Sequence, residues 1–166
     1  MPGCFIILLL FITLVIGIER RTPPVKPYEV PAGSDIYTVA AGSWDWDGRR
    51  KCEENPHVIS FSADRDTMFL TFTKPLGDDT SRVTRYVLHE VTRSSIRGRI
   101  TDETRLTDRG DPMVWDLVLT SPDSYRWRGT EWPAGAYTGA VVRCPGAAPE
   151  ATASPPSPSA RSTAPP

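Results

Sequence analysis

The sequence predicts an all-β fold, a single small antiparallel barrel of about eight strands, with a β-sandwich as the alternative. Three observations predict it. Short apolar runs separated by turn residues recur from Gly42 to Arg143, helical periodicity is weak and confined to 78–89, and Cys52 and Cys144 bracket the stretch. With 39% hydrophobic residues and five Trp in 166 positions, the chain can bury one small core, and the folded domain is assigned to 36–145. A net charge of -1 removes the general electrostatic case for nucleic acid as a partner.

Ahead of that domain, the apolar run Phe5–Ile18 spans about 14 residues, at the upper end for a signal-peptide core and short of the roughly 20 of a membrane span. Residues 1–21 are therefore read as a signal peptide or membrane anchor. Arg20 and Arg21 would hold the domain in the cytoplasm by the positive-inside rule, but paired cysteines belong to an oxidising compartment. Export is the expectation, periplasmic or extracellular, with residues 5–18 holding the chain to a membrane where they are not removed. Cys4 stands before the apolar run, not after it as a lipoprotein cysteine would, and is expected to stay unpaired. Pro23, Pro24, Pro27 and Pro31 mark 22–35 as an extended spacer. At the other end, 146–166 holds Ala, Pro, Ser and Thr without aromatic residues and reads as a disordered tail.

Between these ends the strands follow in order. Gly42–Asp47 is the first. His57–Ser62 and Thr67–Thr73 flank the polar connection Ala63–Asp66, the clearest hairpin of the chain. Arg85–Thr92 and Ser95–Thr101 form a second pair, Met113–Thr120 and Ser124–Arg128 a third, and Tyr137–Arg143 is the last strand. Alternation assigns the core to Val58 or Ile59 with Phe61, Phe69, Val87, Val91, Val114, Leu117, Leu119, Trp127 and Val141.

Gly42-Ser-Trp44, a Gly-x-Trp at the start of such a domain with Arg143 in its last strand, resembles the calycin group, the lipocalins and the small bacterial barrels related to them. The resemblance implies that Trp44 closes one end of the barrel and that a basic side chain, Arg143 or else Arg128, packs over it. It also implies an unidentified small ligand held inside. A Cys52–Cys144 disulfide suits a closed barrel, whose first and last strands are neighbours, and would stabilise the fold by about 4 kcal/mol in the chain-entropy model.

Catalytic and cofactor chemistry finds no footing in the pattern. His57 and His89 are the only histidines, and neither has a Cys or His at ligand spacing. Asp64, Asp66, Asp78 and Asp79 sit in connections, where Asp favours turn geometry, and calcium would need more oxygen ligands in a tight loop. Ser43, Ser121 and Ser124 have no evident His and Asp partners. No catalytic residue, metal or cofactor is assigned.

The stretch Tyr125-Arg-Trp-Arg128 puts Tyr125 and Trp127 on one strand face and Arg126 and Arg128 on the other; Arg97 and Arg99 alternate in the same way around Gly98. Four guanidinium groups on one surface would suit an anionic ligand or an acidic protein, against the simpler account of a solvated face. The functional expectation is an exported or membrane-tethered, non-catalytic binding domain resembling a lipocalin-like barrel. Its partner is a small apolar or anionic ligand, which requires an apolar cavity open at one end. An interaction or protease-inhibitor module would instead have a filled core, and an enzyme would show polar side chains converging in a cleft.

Overall fold

The computed structural model describes residues 24–48, 52–77 and 80–146. The segment 1–21 read as a signal or anchor, Cys4, Asp78, Asp79 and the segment from 147 read as a tail lie outside the described residues. A short helix, α1 (Ile36–Ala40), precedes eight strands: β1 (Gly42–Trp46), β2 (His57–Phe61), β3 (Thr67–Phe72), β4 (Val83–Val91), β5 (Ser95–Ile100), β6 (Trp115–Ser121), β7 (Ser124–Gly129) and β8 (Val141–Arg143). Each strand pairs antiparallel with the next, and β8 returns to β1 through Trp44↔Arg143, Asp45↔Val142 and Trp46↔Val141. This closes the sheet into a barrel, so the sandwich alternative is set aside.

The two ends differ. Tight connections at 62–66, 92–94 and 122–123 join the strands at one end, and the longer segments 47–56, 73–82, 101–114 and 130–140 join them at the other. Asp35 caps α1 by accepting from Tyr37 N (3.1 Å), and the helix lies across the tight-turn end with Ile36 and Ala40 buried. Residues expected in a spacer also belong to the domain: Tyr28 N donates to the Leu119 carbonyl, Val30 N to that of Arg93, and Val30 is 1% exposed. Pro27 and Pro31 lie in an extended strap that follows the wall through Tyr28 and Val30. Both described ends of the chain leave at the tight-turn end.

The inward set is Trp44, Ile59, Met68, Leu70, Phe72, Tyr86, Ile96, Leu117, Leu119, Tyr125, Trp127 and Val141. Leu117, Leu119, Trp127 and Val141 stand where alternation puts them, and Ile59 takes the inward place its neighbour Val58 leaves. Phe69 and Val87 are corrections. Thr-Met-Phe-Leu-Thr-Phe is apolar on both parities, and three in-phase side chains, Met68, Leu70 and Phe72, outweigh Phe69 alone. Tyr86 then follows inward opposite Met68, leaving Val87 outside at 38% exposure. Phe61, Val91 and Val114 are half-buried, Phe61 with its ring edge-on to Tyr37 at 4.9 Å. The last strand is shorter than expected, because 137–140 departs from regular pairing: Trp127 N donates to the Thr138 hydroxyl, not to a backbone carbonyl.

Candidate functional site

A barrel can hold a ligand inside, at its mouth or on its wall. The inside is full of aromatic rings: Trp44 meets Tyr125 edge-on (5.1 Å), Tyr125 meets Trp127 (5.8 Å), and Trp127 stacks on Tyr86 (5.3 Å). A hollow of about 490 Å3 lies instead at the strap, lined by Lys26, Pro27, Tyr28, Glu29 and Thr120.

The polar pair within this packing is His57 and Tyr125, whose Nε2 and Oη share a hydrogen bond of 2.5 Å. Burial holds the imidazole neutral, lowering its pKa to about 4 against the opposing field of Asp45, and burial pushes the Tyr125 hydroxyl well up. His57 Nδ1 has no hydrogen-bond partner. At 2% and 0% exposure the two groups lack the access that a substrate requires, and they read as core.

Closure of the tight-turn end follows from Gly42-Ser-Trp44. Trp44 is 0% exposed and donates from Nε1 to the Ala40 carbonyl (2.9 Å), and the Arg143 guanidinium lies 4.1 Å from its ring centroid. Arg143 also donates to the carbonyls of Ala41 (3.0 Å), Val39 (2.6 Å) and Pro122 (3.1 Å) and to the Asp123 carboxylate (3.0 Å), tying α1, β1 and the β6–β7 turn together. The glycine is required: at Gly42, φ is +121° and an added Cβ would come within 2.8 Å of Arg143 Nη1. Arg128, the second candidate for this role, lies over Tyr137 instead (5.9 Å) and donates to the Trp132 carbonyl (3.2 Å).

At the mouth, Glu103 accepts from Arg105 Nη2 (2.8 Å) and Trp115 Nε1 (3.1 Å), while the Arg105 guanidinium lies 4.9 Å over the Trp115 ring. Burial would raise the Glu103 pKa, but the Arg105 and Trp115 donors prevail and hold it at about 2. Trp132 meets Trp115 edge-on at 5.7 Å. Nothing in the sequence pattern singled out this plug, because Glu103 and Arg105 come from an irregular connection and meet Trp115 at the start of β6 and Trp132 in the next long connection only in the fold. Cys52 and Cys144 are bonded, with Cα atoms 5.6 Å apart. The bond draws Cys52 back against β1, where Asp45 is buried at 6% exposure and accepts from Cys52 N (2.7 Å) and Trp46 N (2.8 Å).

The four arginines face outward as alternation requires, yet they do not form one open anionic site. Arg97 is held by the buried carboxylate of Asp116 (2.7 Å) on β6 and by Glu90 (2.6 Å) on β4. Its hydrogen bond to Asp116 raises its pKa further. A bulge in β4 between Leu88 and Glu90 brings Glu90, not His89, opposite Arg97, so Glu90, Arg97, Asp116 and Arg128 form one row across four strands. Arg126 donates to the Thr138 carbonyl (2.9 Å). Arg99 alone of the four is exposed without such a partner among the described residues, and it lies opposite Val87 on β4. Of the turn carboxylates, Asp66 accepts from the Thr67 (2.7 Å) and Ser62 (3.1 Å) hydroxyls, a local turn role. Among the described residues no three His, Cys, Asp or Glu side chains gather as a metal site.

The wall that sequence reasoning missed is the outer face of β2–β3–β4. Its rows run Val58–Thr71–Val83, Ser60–Phe69–Arg85 and, beginning on β3, Thr67–Val87–Arg99. Val58, Val83 and Val87 are 46%, 45% and 38% exposed, and Arg85 lies over Phe69 at 5.7 Å. The signal was present in His-Val-Ile-Ser-Phe-Ser and Thr-Met-Phe-Leu-Thr-Phe, which carry apolar residues on both strand faces when one face suffices for the core. No protein-family model matches the chain, and no curated protein or solved structure matches it either.

Proposed function

We propose that the chain is an exported, non-catalytic protein-interaction barrel that presents its outer surface to a partner. The filled interior carries this reading. Trp44, Tyr125, Trp127 and Tyr86 occupy the axis where a ligand of lipocalin type would lie, so the binding surface is sought on the outside. The barrel closure by Trp44 and Arg143 supports a calycin-type scaffold, and the Cys52–Cys144 bond supports an oxidising compartment. Both chain ends leave at the tight-turn end, so a tether formed by 5–18 leaves the long connections and the β2–β4 wall free.

Native mass spectrometry of the full chain from its own host tests the choice between ligand and partner. The expected result is the mass of the bare disulfide-bonded polypeptide. A retained small molecule, lost on unfolding, would overturn the interaction reading in favour of an internal ligand.

A further inference from the structure

The outer wall of the barrel divides into covered and uncovered parts. Cys52, drawn in by its bond to Cys144, lies against β1 with its N–H on Asp45, and the strap through Tyr28 and Val30 crosses from Leu119 on β6 to Arg93. Glu90, Arg97 and Asp116 neutralise one another on the wall of β4–β6. Among the described residues the β2–β4 face has no such cover: Val58, Val83 and Val87 are exposed, and Leu76, in the connection joining β3 to β4, is 44% exposed. Four of the six exposed large apolar side chains of the described residues belong to this wall and its connection. Monomeric soluble proteins seldom leave such a surface bare without a use for it.

Its charge is one-sided. Arg85 and Arg99 flank Val87, both are exposed, and neither makes an ion pair among the described residues. The rows themselves contain no acid. We propose that this face docks a partner protein whose contact surface is apolar at its centre and carries carboxylates that meet Arg85 and Arg99; the proposal rests on the interaction reading above and locates its surface. A second copy is a poor occupant, because a two-fold pairing of this face with itself would set unpaired guanidinium groups together with no acid between them. A membrane is a poor one too, since the face is flat, β-branched and offers two cations where stable surface binding uses clusters of them. Three strands by five residues cover roughly 240 Å2 at ordinary sheet spacings. A standard interface takes about 800 Å2 per partner, so the contact extends past these rows toward Leu76.

The test places a photo-crosslinking residue at Thr71, centred on the face, in the full chain expressed in its native host, with controls at Leu106 on the mouth and Arg126 on the opposite wall. The expected result is one protein adduct from position 71, lost in Arg85→Glu and Arg99→Glu and retained in Arg85→Lys, with the cross-linked peptide containing Asp or Glu. An adduct unaffected by charge reversal overturns the proposal, as does an adduct of twice the chain's own mass, an internal link to 1–23 or 147–166, or flotation of the purified chain with phosphatidylserine vesicles that Arg85→Glu and Arg99→Glu abolish. Adducts from position 106 alone overturn the β2–β4 face and leave the interaction reading standing. Adducts from none of the three positions overturn both.

Discussion

The tight-turn end and the mouth of this barrel are both plugged by an indole and an arginine, but by different physics. At the tight-turn end Trp44 is wholly buried, and Arg143 lies over it with its donors spent largely on backbone carbonyls. At the mouth Trp115 is half-buried, and Arg105, 57% exposed by its side chain, is held by a carboxylate two residues away. The first plug joins elements about 100 residues apart in sequence and forms only when the barrel closes. The second is largely local to one connection, and its arginine, unlike Arg143, stands mostly in water. An arginine over an indole therefore carries no fixed stabilisation; what it spans decides.

Trp44→Ala separates the two ends most sharply. It should cost about 4 kcal/mol in urea unfolding, as large aromatic truncations in packed cores do, whereas Trp115→Ala should cost less than half of that. Equal losses would erase the distinction. Acid should act next: His57 has its pKa lowered from 6.5 to about 4 by burial, so the unfolded chain takes up the proton first. Stability is then full above pH 6.5 and falls by about 3 kcal/mol as pH drops to 4, a loss that His57→Phe should remove. A pH-independent stability from 7 to 4 in the parent chain would contradict the buried, neutral imidazole. Arg143→Met should cost about 2 kcal/mol, because it strips the ring contact and leaves the Ala41, Val39 and Pro122 carbonyls without this donor. Thermal unfolding no lower than the parent's would show that the carbonyls find water instead. The smallest effect belongs to the mouth. Glu103→Gln should cost under about 1 kcal/mol near neutrality. The Glu103 carboxyl, held at about 2 in the folded chain, contributes above the ordinary carboxylate range and loses that contribution as pH falls toward 2, so the Gln variant should differ from the parent less at pH 2 than at pH 6.

Sequence reading went furthest where one strand face decides. The number and order of strands and the Cys52–Cys144 pair follow from short-range alternation plus closure, whereas the Trp44 floor with Arg143 over it came from the resemblance carried by Gly42-Ser-Trp44. Phe69 and Val87 failed for the opposite reason: β3 and β4 are apolar on both faces, so pattern alone leaves the register open and packing against Met68 and Tyr86 settles it. The strap was missed because Pro-rich chain is extended whether it is free or docked, and Val30 is one apolar residue with no period. Arg97, Arg99, Arg126 and Arg128 face outward, but what holds Arg97 and Arg126 comes from elsewhere in the chain, Asp116 and Glu90 from neighbouring strands and Thr138 from the 130–140 connection. The Arg85–Arg99 wall required the β-bulge that decides which arginine Glu90 can reach, and a bulge leaves no mark in composition.

The Cys52–Cys144 bond has a topological consequence. It joins residues 92 apart and closes a covalent ring that contains β2 through β8, leaving α1 and β1 outside. A protease that cuts once in 73–82, 101–114 or 130–140 opens the ring without detaching anything, and the nicked chain keeps its mass on a non-reducing gel. One cut between Trp46 and Cys52 is different in kind: it severs the floor tryptophan, the strap and any N-terminal tether from the rest, leaving only sheet pairing and the Arg143 contacts to hold the halves together. The connection that holds Cys52 is thus the one whose integrity decides whether β2 through β8 stay covalently attached to the chain that precedes them.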